Sequence, residues 1–176
     1  MFSTQTLINF VSDHIVYAHL FIVLGVIIEG EFVMILGGVL AHIGALSFFE
    51  VLAFAYLGAI FKTFAWYKVG EFIRAKFSKS RFLKYMEGKI HLLLPSFKKK
   101  PFWSIFSSKF IYGVNHLTMI FSGYIGIKKK IFIKSELLSS IVWVGGLVSL
   151  GYFFSHTAFG MSHNIRKATI MIVAMV

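Results

Sequence analysis

The chain has 176 residues, is 57% hydrophobic with a mean hydropathy of +0.79, and carries charge on only 14% of its residues. A soluble domain of this length has too much surface for its volume to hide so many apolar side chains, so the composition points to an integral membrane protein. The net charge of +11 is gathered between the apolar runs, as the positive-inside bias requires, and is not spread as a nucleic-acid-reading face; zero cysteines exclude a disulfide framework and a thiolate metal site.

Residues 1–14 contain no Lys or Arg ahead of the first apolar run, so the basic start of a cleavable signal peptide is missing. Residues 3–12 read as a short amphipathic lead-in. The run 15–49 follows, with Glu29 and Glu31 as its only charges and Gly30 between them. A carboxylate at the centre of a membrane helix costs roughly 2.5–3.5 kcal/mol on insertion scales. Two so close need water, protein or a cation around them, and the glycine invites a break in the backbone. The alternative is an exposed loop between two tight spans.

The run 51–67 is apolar apart from Lys62 and Thr63. Lys62 reads as a side chain snorkelling to the interface. Residues 68–100 hold ten of the 18 Lys and Arg against Glu71 and Glu87, and are expected in the cytoplasm, as a loop or a surface-lying helix attracted to anionic lipid. Residues 102–127 are apolar again, broken by Lys109, Gly113, Asn115 and His116. Lysines 128–130 come next, then an uncharged span candidate at 137–154 and a further apolar run from 168.

If 102–127 crossed once, the lysine triplet would emerge on the wrong side of the membrane. Entry and return as a hairpin keeps both basic clusters cytoplasmic. Each half then has ten to twelve residues, roughly 15–18 Å of helix, with the turn near Gly113. The same logic folds 15–49 into a second hairpin with Glu29 and Glu31 at its tip. The expected fold is therefore all-α and polytopic: two opposed re-entrant helical hairpins plus spanning helices, in one membrane domain over 1–176.

Several segments resemble the DedA family of membrane proteins (the VTT, or SNARE-associated Golgi protein, domain). They are Gly30-Glu31 through Gly37-Gly38, Leu40-Ala41 and Gly44; Leu57-Gly58-Ala59 with Tyr67-Lys68-Val69-Gly70; Lys109-Phe110-Ile111-Tyr112-Gly113-Val114-Asn115 with Ser122-Gly123; and Trp143 with its glycine-rich helix. The resemblance covers about 30–154. Glu29 and Tyr112 stand where the family has prolines, Thr63 where it has aspartate, and Glu71 where an arginine follows the glycine. Lys109 and Asn115 replace two arginines.

The resemblance implies a non-enzymatic lipid transporter of the bacterial plasma membrane. It would move a phosphate-bearing lipid, such as undecaprenyl phosphate or a phospholipid, with protons as possible coupling ions and no cofactor, metal or nucleic acid. In that reading Glu29 and Glu31 form a proton-responsive or headgroup-facing pair, and Lys109, with Asn115 and His116, offers contacts to the phosphate or itself pairs with Glu31. Each has a plainer alternative: Lys109 snorkelling, and Asn115 capping a broken helix. Gly30 marks the break, and Gly37, Gly38, Gly113 and Gly123 are expected to let helices approach closely. A non-transporting accessory subunit is the rival reading, since it would tolerate the replaced arginines and prolines.

Overall fold

The computed structural model describes residues 4–77, 99–111 and 113–161. Among them are seven α-helices and no strand: α1 Thr4–Asp13, α2 Ile15–Ile28, α3 Glu31–His42, α4 Phe48–Phe77, α5 Pro101–Ser108, α6 Val114–Ile125 and α7 Lys129–Met161. The basic stretch 78–98 and the apolar run from 168 lie outside the described residues. Two helices are long and apolar enough to cross a membrane, Phe48–Lys76 within α4 and Lys129–Ser155 within α7. Large hydrophobic side chains face outward along them, among them Phe61, Phe72, Ile141, Leu150 and Phe153. A helix that is apolar all round suits lipid better than water.

The other helices are too short to span the roughly 30 Å hydrocarbon core alone, since 12 residues reach only about 18 Å. They come as broken pairs, and glycines make the breaks. α2 ends when the Glu29 amide donates to the Gly25 carbonyl, and Gly30, at φ 86°, turns the chain into α3. Only glycine takes that conformation without a Cβ penalty. In the second pair α5 opens on Pro101, whose missing N–H costs nothing at a first helical position. α6 is bracketed by Gly113 and Gly126, both left-handed.

The chain divides into two compact units, Met1–Gly58 with Val144–Val176, and Ala59–Trp143. The first has an apolar interior of Ile22, Val26, Val33, Met34, Val51, Ala55, Val144 and Val148. Here α3 and α7 touch backbone to backbone. A Cβ on Gly38 would meet the Val148 carbonyl oxygen and the Tyr152 amide, and one on Gly151 would meet the Ile35 carbonyl. Gly37 is similarly closed by Val51, and Gly58 by the Val23 carbonyl.

In the second unit the equivalent crossing joins α4 and α6. A Cβ on Gly70 would meet the Ile120 carbonyl oxygen, and one on Gly123 that of Tyr67. Beside it, Tyr67, Ile105, Met119 and Phe132 form an apolar cluster. The Tyr67 hydroxyl donates to the Ile127 carbonyl at 2.9 Å, and Ser135 Oγ donates to the Phe102 carbonyl at 2.7 Å.

The two crossings expose an internal repeat. α2–α3–α4 and α5–α6–α7 share one plan: a short helix, a glycine with positive φ, a 12-residue helix, a second such glycine, and a helix of 30 or more residues. Gly70 stands 22 residues after the first residue of α4, and Gly151 stands 22 after the first of α7. Each packs on the 12-residue helix of the other repeat.

Gly37, Gly38 and Gly123 sit where a Cβ would collide with a neighbouring helix. Gly113 does not: nothing lies within 4 Å of where its Cβ would be, and its φ of 75° is what requires glycine. Of the partners in the crossings, Gly70 stands in a motif without being expected to let helices approach, and Gly151 is not singled out from sequence.

Replacing Gly38 or Gly70 by leucine would force side-chain atoms into a backbone carbonyl. Such overpacking is expected to cost about 1–3 kcal/mol or more, read as earlier thermal unfolding in detergent. Gly145→Ala, at a position with open space around it, should leave the transition unchanged or raise it slightly.

Candidate functional site

Polar side chains are distributed unequally. Among the described residues, every buried polar or charged side chain except Ser155 lies in the unit Ala59–Trp143. On α7, Glu136, Ser139 and Ser140 recur at helical spacing on one face; on α6, Asn115, Thr118 and Ser122 do the same. α4 adds Lys62 and Thr63.

At the centre is an ion pair. Lys109 Nζ lies 2.6 Å from Glu136 Oε2, with the side chains only 3% and 1% exposed. Thr63 Oγ1 donates to the same oxygen at 3.1 Å. Three helices supply the three groups: Thr63 from the middle of α4, Lys109 from the C-terminal cap of α5, and Glu136 from α7. Glu136 is seven residues past Lys129, about 10 Å along the axis at 1.5 Å per residue.

Desolvating two charges costs several kcal/mol per ion, repaid only by close mutual contact and further hydrogen bonds. Here the further bonds are incomplete. Glu136 Oε1 is buried without a hydrogen-bond partner among the described residues, as are Asn115 Oδ1, Ser122 Oγ and Ser140 Oγ. An ionised carboxylate accepts at about four lone-pair sites, and one whole oxygen of this one is unused. The site is a buried ion pair surrounded by acceptors that have no partner among the described residues.

The residues expected from sequence fall in different places. Lys109 is buried and does not snorkel; its partner is Glu136 and not the expected Glu31. Lys62, expected to reach the interface, is buried too, at 7% exposure. Asn115 is the second residue of α6, where Gly113 holds the cap position, and its Oδ1 caps nothing. His116 is half-buried, edge-on to Trp66 with ring centroids 5.9 Å apart. Glu29 and Glu31 belong to the other unit. Glu29 is exposed at the C-cap of α2, and Glu31 is half-buried in the first turn of α3, where the helix dipole favours an anion.

Sequence reading missed Glu136. The span candidate began one residue later, at 137, which left this glutamate in the interfacial lysine cluster. A signal was available nonetheless: Lys109 is the one cation in 102–127, and Glu136 is the only acid after Glu87. A lysine stranded in an apolar run needs a counter-ion, and only one acid follows it.

The chain is similar to the inner membrane protein YohD of Escherichia coli (strain K12), 28% identical over 151 residues that cover 86% of this chain and 78% of the relative. No family model and no solved structure matches it. Composition, the two long apolar helices and this similarity are together consistent with a membrane protein.

Breaking the ion pair on one side should be costly. Glu136→Leu leaves a buried ammonium unpaired and is expected to destabilise the protein by about 3–5 kcal/mol, whereas Glu136→Leu with Lys109→Met should recover most of that loss. A double-mutant cycle by denaturant unfolding in mixed micelles measures the coupling. Additive single-mutant effects would show that the two groups do not depend on each other.

Proposed function

We propose that the protein is a membrane transporter of DedA type that carries a phosphate-bearing lipid across the bilayer, with Lys109 as the cation that meets the phosphate. The observation that carries the reading is the buried Lys109–Glu136 pair held by Thr63 at the middle of a membrane-length helix. Intramembrane ionisable groups are expensive, and by default they mark a substrate or ion pathway.

The pair also accounts for two departures from the family pattern. Where the resemblance leads one to expect an aspartate there is Thr63, and where it leads one to expect an arginine there is Lys109. Thr63 hydrogen-bonds the very carboxylate that pairs with Lys109, so Glu136 supplies from α7 the negative charge that α4 lacks. Likewise Glu71, standing where an arginine is expected, pairs with Lys129 at 3.1 Å and Lys68 at 3.0 Å. Opposite charges are kept together although their positions in the chain have changed.

A working cycle follows from charge balance. With no lipid in place, Glu136 neutralises Lys109. A phosphate approaching Lys109 competes for the ammonium, and a proton taken by Glu136 removes the competitor. The buried site then stays neutral in both states, as Lys⁺ with Glu⁻ or as Lys⁺ with phosphate beside a protonated Glu136. A proton or a lipid drives the change only through its different affinity for these two states. Lysine suits the exchange: it is a point charge without the fixed bidentate fork of arginine, so one partner can replace another.

In this reading α2–α3 and α5–α6 are re-entrant hairpins, each helix being too short to cross, and the basic segments 68–100 and 128–130 face the cytoplasm. Glu29 and Glu31 serve the first tip, and Asn115 and His116 the second. The relative's inner-membrane location supports a bacterial plasma membrane. A non-transporting accessory role has its own support in the same ion pair, since a short pair with all of Lys109's charge answered also locks three helices together.

The two readings separate in a liposome flipping assay. Lys109→Ala and Glu136→Gln should each lower lipid movement at least about tenfold if the pair contributes 1.4 kcal/mol or more to the transport barrier. Transport at the wild-type rate in both would remove the assigned pocket. The Lys109→Met/Glu136→Leu double variant, folded but uncharged, should not transport.

Re-entry has a separate check, made simple by the lack of native cysteines. Single cysteines at Lys99 and Lys128 should react with an impermeant thiol reagent from the same side of the membrane. Labelling from opposite sides would mean that α5–α6 crosses.

A further inference from the structure

We propose that a second site, at the start of α5 and α7, docks the phosphate of an anionic phospholipid. It goes beyond the transport reading and does not depend on it, since a lipid can be held there whether or not it is moved.

An open cavity of about 610 Å³ lies where these two helices begin, a volume within the usual range for small-ligand sites. Lys100, Lys130 and Lys134 line it, and among the described residues no acid does. Lys100 holds the N-terminal cap of α5, and Lys130 and Lys134 stand one turn apart on α7. Like charges at that spacing repel, and none of the three has a carboxylate partner among the described residues. The nearby acids are engaged elsewhere: Glu71 holds Lys68 and Lys129, and Glu136 holds Lys109. Lys100, Lys130 and Lys134 thus face one cavity with no counter-ion among the described residues. An anion placed among the three relieves their repulsion.

The remaining wall is apolar and suits a lipid better than a free ion. Phe102, Trp103 and Ile131 complete the lining. Trp103 is 63% exposed, packs edge-on against Phe102 with centroids 5.4 Å apart, and has the amphipathic ring favoured at headgroup level. Glycerol and the first acyl carbons would lie against these side chains while the phosphate sits among the ammonium groups. The cavity walls are held in place, because Ser135 Oγ donates to the Phe102 carbonyl and ties α5 to α7 next to Lys134.

This docking point is separate from the buried pair yet close to it in the chain. Lys109 ends the helix that Lys100 begins, and Lys134 is two residues from Glu136 on α7, on another side of that helix.

The test is native mass spectrometry of the full-length protein in detergent, with phosphatidylglycerol and phosphatidylcholine as probes. At roughly fivefold per lysine, the Lys100→Gln/Lys130→Gln/Lys134→Gln variant should lose at least about tenfold in phosphatidylglycerol affinity and little in phosphatidylcholine affinity. A control variant, Lys68→Gln/Lys76→Gln/Lys128→Gln, removes the same charge from elsewhere and should bind like wild type. All six lysines are exposed, so folding is not at issue. The proposal fails if the first variant keeps wild-type affinity, or if the control loses as much, which would mean a diffuse charge effect. It also fails if equimolar inorganic phosphate displaces the lipid, since the site would then serve the free ion.

Discussion

A charged amine shut away from water fixes much of what surrounds it. Lys109 sits at a helix end with almost no exposure, and the chain must bring a carboxylate to it or lose several kcal/mol to an unanswered charge. That demand helps hold α7 against α5, and through the Thr63 hydroxyl it reaches the middle of α4. The polar faces of α6 and α7, which would be unfavourable against lipid, have an inside to face because this unit's interior is polar. The apolar unit, with no comparable pair in its core, is held instead by close packing.

Close packing depends on glycine. Where two helices are surrounded by hydrocarbon, little hydrophobic force drives them together, and association rests on how nearly their backbones can approach. The crossings at Gly38 with Gly151 and at Gly70 with Gly123 bring carbonyl oxygens to positions a methyl group would occupy. Their equal placement in the two long helices makes the same device appear twice, once in the unit with an apolar interior and once in the unit that also buries an ion pair. A shared backbone plan has been filled with different side chains, which is what divergence of two repeats under different demands would produce.

Much of this could be read from the chain itself. The helix breaks at Gly30 and near Gly113 followed from glycine next to polar residues inside apolar runs. The long helices followed from uninterrupted hydrophobicity, and the lead-in helix from its amphipathic spacing. The ion pair did not follow, because hydropathy assigns Glu136 to the lysine-rich interface and treats Lys109 as a long stem able to reach water. Burial is a property of the packed helices, and a count of neighbours in sequence does not contain it. The crossings were half visible: Gly38, Gly70 and Gly123 stood inside motifs, though Gly70 was not marked for close approach, while Gly151 looked like an ordinary helix glycine until its partner was known.

The two oxygens of Glu136 contribute unequally to holding the three helices together. A structural ion pair gains most when every lone pair and every N–H is satisfied, because each orphaned acceptor keeps its desolvation penalty. Here Lys109 and Thr63 crowd onto Oε2 while Oε1 is left without a donor. Serines stand on the same helix face, and a hydroxyl brought to Oε1 would add to the hold of α7 on its neighbours.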